Sequence, residues 1–121
     1  WLRDSWGVTA DLRSAFAASP AEHSFPGGWY RNQLWFRPGR HGDVLLCLGI
    51  HGQLVHVCRR TRTVAVKLSS WPEATNPTYM HNTLAALEAI PALRLESVLQ
   101  ISLYGRHPTI FVLGTPGEIG E

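Results

Sequence analysis

The sequence predicts an α+β fold: an antiparallel β-meander of about four strands with a C-terminal helix packed on one face. Three observations lead there. Short apolar and β-branched runs recur between Trp29 and Ser69, separated by brief polar turns; connections that short suit antiparallel neighbours. A single strong helix signal follows them, with Asn76 as N-cap, Pro77 at the first helical position, and Met80, Leu84 and Leu87 at helical spacing. Strands first and a helix afterwards form a layered α+β arrangement, in which the helix covers the sheet.

Each element has its own reason. Ala10 to Ala18 predicts a short helix with Leu12 and Phe16 on one face, and Pro20, Pro26, Gly27 and Gly28 mark a loop. Trp1 to Pro26 therefore reads as a covering strap. Trp29 to Phe36 is aromatic-rich and predicts a strand, closed by Pro38 and Gly39 and a polar loop to Gly42. Val44 to Ile50 is almost wholly apolar, as a central strand buried on both faces would be. Leu54 to Cys58 is the third strand and Thr63 to Ser69 the fourth, with Arg59 to Arg62 turning the chain between them. In the fourth strand Val64, Val66 and Leu68 share one face; Ala65, Lys67 and Ser69 share the other. Thr83 and Ile90 widen the helix stripe, and Pro91 ends it. Beyond it, Leu99, Ile101 and Leu103 alternate like a strand, Thr109 to Leu113 is β-prone, and Gly114 to Glu121 reads as a frayed tail. The helix leaves the other face of the sheet needing a cover that this chain barely provides.

Composition excludes several functions. The 121 residues suffice for one domain, and 45% hydrophobic with 17% charged residues is a globular balance. A net charge of +2 without a long basic run argues against nucleic acid as a partner, and Arg59, Arg60 and Arg62 read as a solvated turn. No apolar stretch is long enough for a membrane span, and no basic start leads into an apolar leader. The chain opens at Trp1 and its single methionine is Met80, so a fragment is expected. Cys47 and Cys58 are too few for a zinc site and read as two buried free thiols; a disulfide would require them directly opposite on facing strands. His51 and His56 lack a third ligand at metal-binding spacing, so no metal and no cofactor is expected. S-x-x-K, G-x-S-x-G, H-E-x-x-H and the phosphate-loop motif are all absent from the sequence.

One stretch asks for an explanation. Gly49-Ile50-His51-Gly52-Gln53 interrupts two apolar strands. His51-Gly52 can serve as a two-residue turn, with Gly52 at positive φ and Gln53 opening the next strand. That leaves Gly49, since glycine in a strand often marks the close approach of a ligand or another backbone. The functional alternative is an oxyanion site. Gly49 clears space, and the backbone N–H of Ile50 points at a substrate carbonyl whose charge develops in the transition state. No side chain is needed for that role, which makes an isoleucine acceptable there.

Three runs extend this reading: Gly28-Trp29-Tyr30-Arg31-Asn32-Gln33-Leu34-Trp35, then Gly49 to Gln53, then Val64-Ala65-Val66-Lys67-Leu68-Ser69-Ser70-Trp71-Pro72 and a helix. In that order and spacing they resemble the C-terminal part of serine hydrolases related to β-lactamases and penicillin-binding proteins, nearest to the 6-aminohexanoate-dimer hydrolases and similar esterase-like members. Trp1-Leu2-Arg3-Asp4 resembles the W-x-x-D segment that precedes the sheet, so the likeness covers about 1–90, and 91–121 form a C-terminal extension beyond it. The resemblance implies part of a β-lactamase-like fold, completed by an N-terminal part that carries the S-x-x-K serine, a lysine and a tyrosine. It also implies a small ester or amide substrate, with Gly49 and Ile50 at the oxyanion site and His51, Gly52 and Gln53 at its rim.

The departures refine the expectation. Cys47-Leu48-Gly49 stands where penicillin-recognising relatives carry K-T-G, so nothing here grips a penicillin carboxylate, and an esterase or amide hydrolase is favoured. Without its nucleophile the chain alone should be inert. The rival expectation is a non-catalytic binding or structural sheet module, or a pseudoenzyme remnant, consistent with five tryptophans and an uncovered sheet face.

Overall fold

The computed structural model describes residues 1–90 and the backbone of two later strands, 99–102 and 109–114. The sheet contains β1 (Trp29–Arg31), β2 (Leu34–Gly39), β3 (Gly42–Leu48), β4 (Leu54–Cys58), β5 (Thr63–Leu68), β6 (Leu99–Ser102) and β7 (Thr109–Gly114). All pairs are antiparallel, in the order β1-β2-β3-β4-β5-β7-β6. The α+β meander is as expected, with one more strand before the helix than the sequence suggests. Trp29 to Phe36 is a hairpin rather than one strand: Arg31 pairs with Leu34 across Asn32 and Gln33, whose φ angles are 52° and 66°. Two central residues at positive φ define the hairpin turn that matches strand twist. Asn32 suits it and Gln33 does not, so the aromatic pattern runs through the turn unbroken. Of the later stretches, Leu103, the span 91–98 and the tail from 115 onward lie outside the described residues.

Three helices flank the sheet: α1 (Leu2–Ser5), α2 (Ala10–Ala17) and α3 (Pro77–Ala89). Thr9 caps α2 by accepting from the Leu12 N–H at 3.2 Å, and Asn76 caps α3 by accepting from the Tyr79 N–H at 2.9 Å. Leu84, Leu87 and Ile90 of the α3 stripe pack with Val44, Leu46, Leu54, Cys58 and Ala65 from one sheet face. Among the described residues, no helix is long and apolar enough to cross a membrane.

The strap covers part of the other face. Trp29 and Phe36 are paired across β1 and β2 and stack with ring centroids 5.0 Å apart, and Trp6 meets Phe36 edge-on at 5.2 Å. Val8 and Leu12 join Leu45 in the same cluster. Polar contacts hold the strap in place: Arg31 donates to Asp4 at 2.8 Å and to the Gly7 carbonyl at 3.1 Å, while Asn32 donates to the buried Ser5 hydroxyl at 2.7 Å. Farther along that face Cys47, Val55 and Val66 are half-buried neighbours in register. They line a shallow groove of about 250 Å³ that runs on to Gly49 and Gln53.

The cysteines fall on different faces. Cys58 pairs with Val44 and Cys47 with Val55, so the thiols are not opposite each other, and both are free. Cys58 is buried as expected. Cys47 is only half-buried, at the margin of the Trp29–Phe36–Leu45 cluster. On β5 the face carrying Thr63, Ala65 and Lys67 is the buried one and turns toward α3, which places a lysine in the core.

Candidate functional site

Antiparallel register brings three chain reversals to one end of the sheet: the Asn32–Gln33 turn, the Gly49–Gln53 loop, and the exit of β5 through Ser69 to Trp71. The four family-like runs thereby fall into two fastened pairs. The Trp1 segment is tied to the β1–β2 turn through Asp4–Arg31 and Ser5–Asn32. The Gly49–Gln53 loop is tied to the end of β5.

The two-residue turn that the sequence suggests is present, set within a longer loop: the Gln53 N–H donates to the Ile50 carbonyl at 3.3 Å across His51 and Gly52. Strand pairing stops at Leu48–Leu54, leaving five residues. The Gly49 N–H donates to the Gln53 carbonyl at 2.9 Å and closes the loop base. The two central residues of the turn, His51 (φ 55°) and Gly52 (φ 82°), are both left-handed. A left-handed histidine is strained relative to glycine, so surrounding contacts must hold it. The His51 N–H donates to the Ala74 carbonyl at 2.9 Å, and the His51 carbonyl accepts from the Trp71 N–H at 3.1 Å.

The predicted site residues have distinct surroundings. Ile50 is 64% exposed, and among the described residues its N–H has no hydrogen-bond partner. Gly49 is explained by the chain's own packing: a Cβ there would lie 2.9 Å from the Gln53 Cβ. The space attributed to substrate on sequence grounds is, in that direction, filled by Gln53. His51 places Nδ1 2.8 Å from the Trp71 carbonyl. A carbonyl only accepts, so Nδ1 is the donor in this contact. Gly52 is buried, and a Cβ would run into the Trp71 ring and the Ser69 hydroxyl. Its surface therefore meets protein. Gln53 donates from Nε2 to the Ser69 carbonyl at 2.6 Å, tying the loop to β5.

Sequence reasoning missed Lys67. Its side chain is 1% exposed and lies beneath the loop. Nζ donates to the Gly52 carbonyl at 3.0 Å and to Ser69 Oγ at 2.8 Å, and sits 4.2 Å from the centre of the Trp71 ring. Ser69 Oγ in turn donates to the His51 carbonyl at 3.0 Å. Among the described residues no carboxylate pairs with Lys67. Burial lowers its pKa from 10.5 to about 8. The available signal was that Lys67 shares a strand face with Ala65, but alternation alone does not say which face is buried.

A second polar group lies under α3. His56 is 4% exposed, its Nδ1 has no partner among the described residues, and burial is the main cause lowering its pKa to about 4, with Arg37 adding to it and Glu88 opposing. Arg37 and Glu88 are paired at 2.9 Å. A larger cleft of about 380 Å³ lies between the Pro20–His23 turn and α3, lined by Arg37, Met80 and His81 among others. Among the described residues no group of three metal-ligating side chains gathers.

The candidate site is thus a five-residue loop at one end of an antiparallel sheet, braced from below by a buried lysine. Over 61 residues the chain is 41% identical to the 6-aminohexanoate-dimer hydrolase of Paenarthrobacter ureafaciens. That stretch is 50% of this chain and 15% of the relative, so the chain spans about 15% of the length of the hydrolase it matches. The partial likeness makes the chain hydrolase-related. No family model matches it, and no solved structure matches it.

Proposed function

We propose that this chain is the C-terminal sheet-and-helix portion of a serine hydrolase related to β-lactamases. The whole protein would cleave an ester or a linear or cyclic amide through an acyl-serine. The observation that carries the reading is the 41% identity over 61 residues to a hydrolase named for the 6-aminohexanoate dimer, an amide. The loop geometry supports it: Ile50 is an exposed residue, and its N–H, without a partner among the described residues, is left to donate to a carbonyl oxygen as negative charge builds there. In this role Ile50 is the donor and Gly49 lets Gln53 close the loop beneath it. His51 orders the rim from its seat on Trp71. The nucleophilic serine, its lysine and a tyrosine belong to a preceding segment that completes the same fold.

The test begins with the coding region upstream of Trp1. An S-x-x-K motif followed by a tyrosine motif is expected there, and the product of the whole gene should hydrolyse p-nitrophenyl esters or the linear 6-aminohexanoate dimer. The present chain alone should not be labelled by a serine-directed phosphonate. A start codon next to Trp1, or stable labelling of the isolated chain, overturns the assignment. A second reading, a non-catalytic sheet module, is favoured by the shallow groove lined by half-buried Cys47, Val55 and Val66.

A further inference from the structure

We infer that Lys67 is the positioning residue of the Gly49–Gln53 loop: its buried ammonium turns the His51 and Gly52 carbonyls inward and so holds the loop conformation in which the Ile50 N–H has no partner among the described residues. The inference rests on the proposed role of that N–H for its catalytic meaning, and on the loop contacts alone for its structural content. An ammonium has three donors and no acceptor. One donor goes to the Gly52 carbonyl and one to Ser69 Oγ. Since Ser69 Oγ must accept from Lys67, its own hydrogen is directed to the His51 carbonyl, 3.0 Å away. One buried cation thus fixes, directly and through a hydroxyl, the carbonyls of the two successive left-handed residues. The Trp71 ring closes the ammonium's remaining side at 4.2 Å and packs on Gly52. A lysine that is 1% exposed, with no carboxylate partner among the described residues, is a poor choice for stability alone. Its engagement with the Gly52 carbonyl, the Ser69 hydroxyl and the Trp71 ring gives it a purpose.

Two variants test this. Lys67→Met keeps the length and removes the charge and donors; Ser69→Ala removes only the relay. In the isolated chain, amide hydrogen exchange at His51 and Trp71 should quicken by about tenfold or more in both variants, with shifted Ile50 and Gly52 amide resonances. Global stability of Lys67→Met should not fall, because a buried charge is replaced by an apolar chain. A merely structural lysine would instead lower global stability and leave loop exchange tracking it. In the whole enzyme, Lys67→Met should reduce kcat by about a hundredfold with KM nearly unchanged, as loss of an oxyanion donor does. Unchanged loop exchange and resonances in both variants would overturn the inference. If Lys67→Met does not fold, loop exchange in Ser69→Ala alone upholds or overturns the relay. Altered exchange together with an inactive whole-gene product would uphold the positioning role and refute the hydrolase reading.

Discussion

Acidification should destabilise the chain through His56, and the size of the effect follows from its surroundings. The ring points from β4 toward α3, 4% exposed, with Nδ1 unpartnered among the described residues. Arg40, His41, Val44, Cys58, Leu87 and Glu88 enclose with it a cavity of about 10 Å³. Protonation would place a cation in that space next to Arg37, so the folded pKa drops from 6.5 to about 4, burial being the larger cause. As pH falls below 6.5 the unfolded chain takes up its proton first, and it binds more protons than the folded chain until pH falls past about 4. Stability is therefore fully present above pH 6.5 and is lost as pH falls toward 4. A gap of about 2.5 pH at about 1.36 kcal/mol each gives about 3 kcal/mol, a large share of a typical 5–15 kcal/mol domain. Urea unfolding followed by tryptophan fluorescence at pH 7.5, 6, 5 and 4 measures it. His56→Leu, which removes both the proton site and the orphan nitrogen, should lose about 3 kcal/mol less over that range than the parent chain. Parallel pH profiles, or an imidazole titrating near 6.5 by NMR, would refute the reasoning.

Other expectations concern the loop. Gly52→Ala combines a left-handed φ of 82° with a collision against Trp71 and Ser69, and should cost about 2–3 kcal/mol by urea unfolding; an unchanged midpoint would contradict the burial of Gly52. Gly49→Ala should cost about 1–2 kcal/mol because its Cβ meets Gln53, and Gly49→Ala/Gln53→Gly should be non-additive, recovering at least about half of that loss. An additive cycle would show that the two do not share space. Lys67, with its folded pKa lowered to about 8, binds fewer protons than the unfolded chain between pH 8 and 10.5. Stability of the parent should rise by up to about 3 kcal/mol relative to Lys67→Met over that interval. A flat difference between the two would show an ordinary lysine pKa.

Much of the fold was legible because its signals are local. The Asn76 cap and the Met80, Leu84 and Leu87 spacing carry α3, and the Val44 to Leu46 run marks a strand buried on both faces. The β1–β2 hairpin was not legible, because Gln33 takes a left-handed conformation that its residue type does not announce; a tertiary bond from Asn32 to Ser5 holds the turn instead. The site was legible only in outline. Glycines at 49 and 52 flagged close approach, but what approaches is Gln53 and Trp71, and contacts across the sheet end leave no periodic trace. Lys67 was hidden for the same reason: on an amphipathic strand a lysine ordinarily marks the wet face, and here one acceptor that admits it inside is a carbonyl contributed fifteen residues away.

Because the Asn32–Gln33 turn, the Gly49–Gln53 loop and the Ser69–Trp71 segment gather at one end of the sheet, the opposite end is available for engineering. The Arg40–His41 reversal and the Arg59–Arg62 reversal both lie there. A short peptide tag or a dye-bearing cysteine inserted at Arg60 would sit a full strand length from Ile50. The donor loop could then be watched by a reporter without being touched by it.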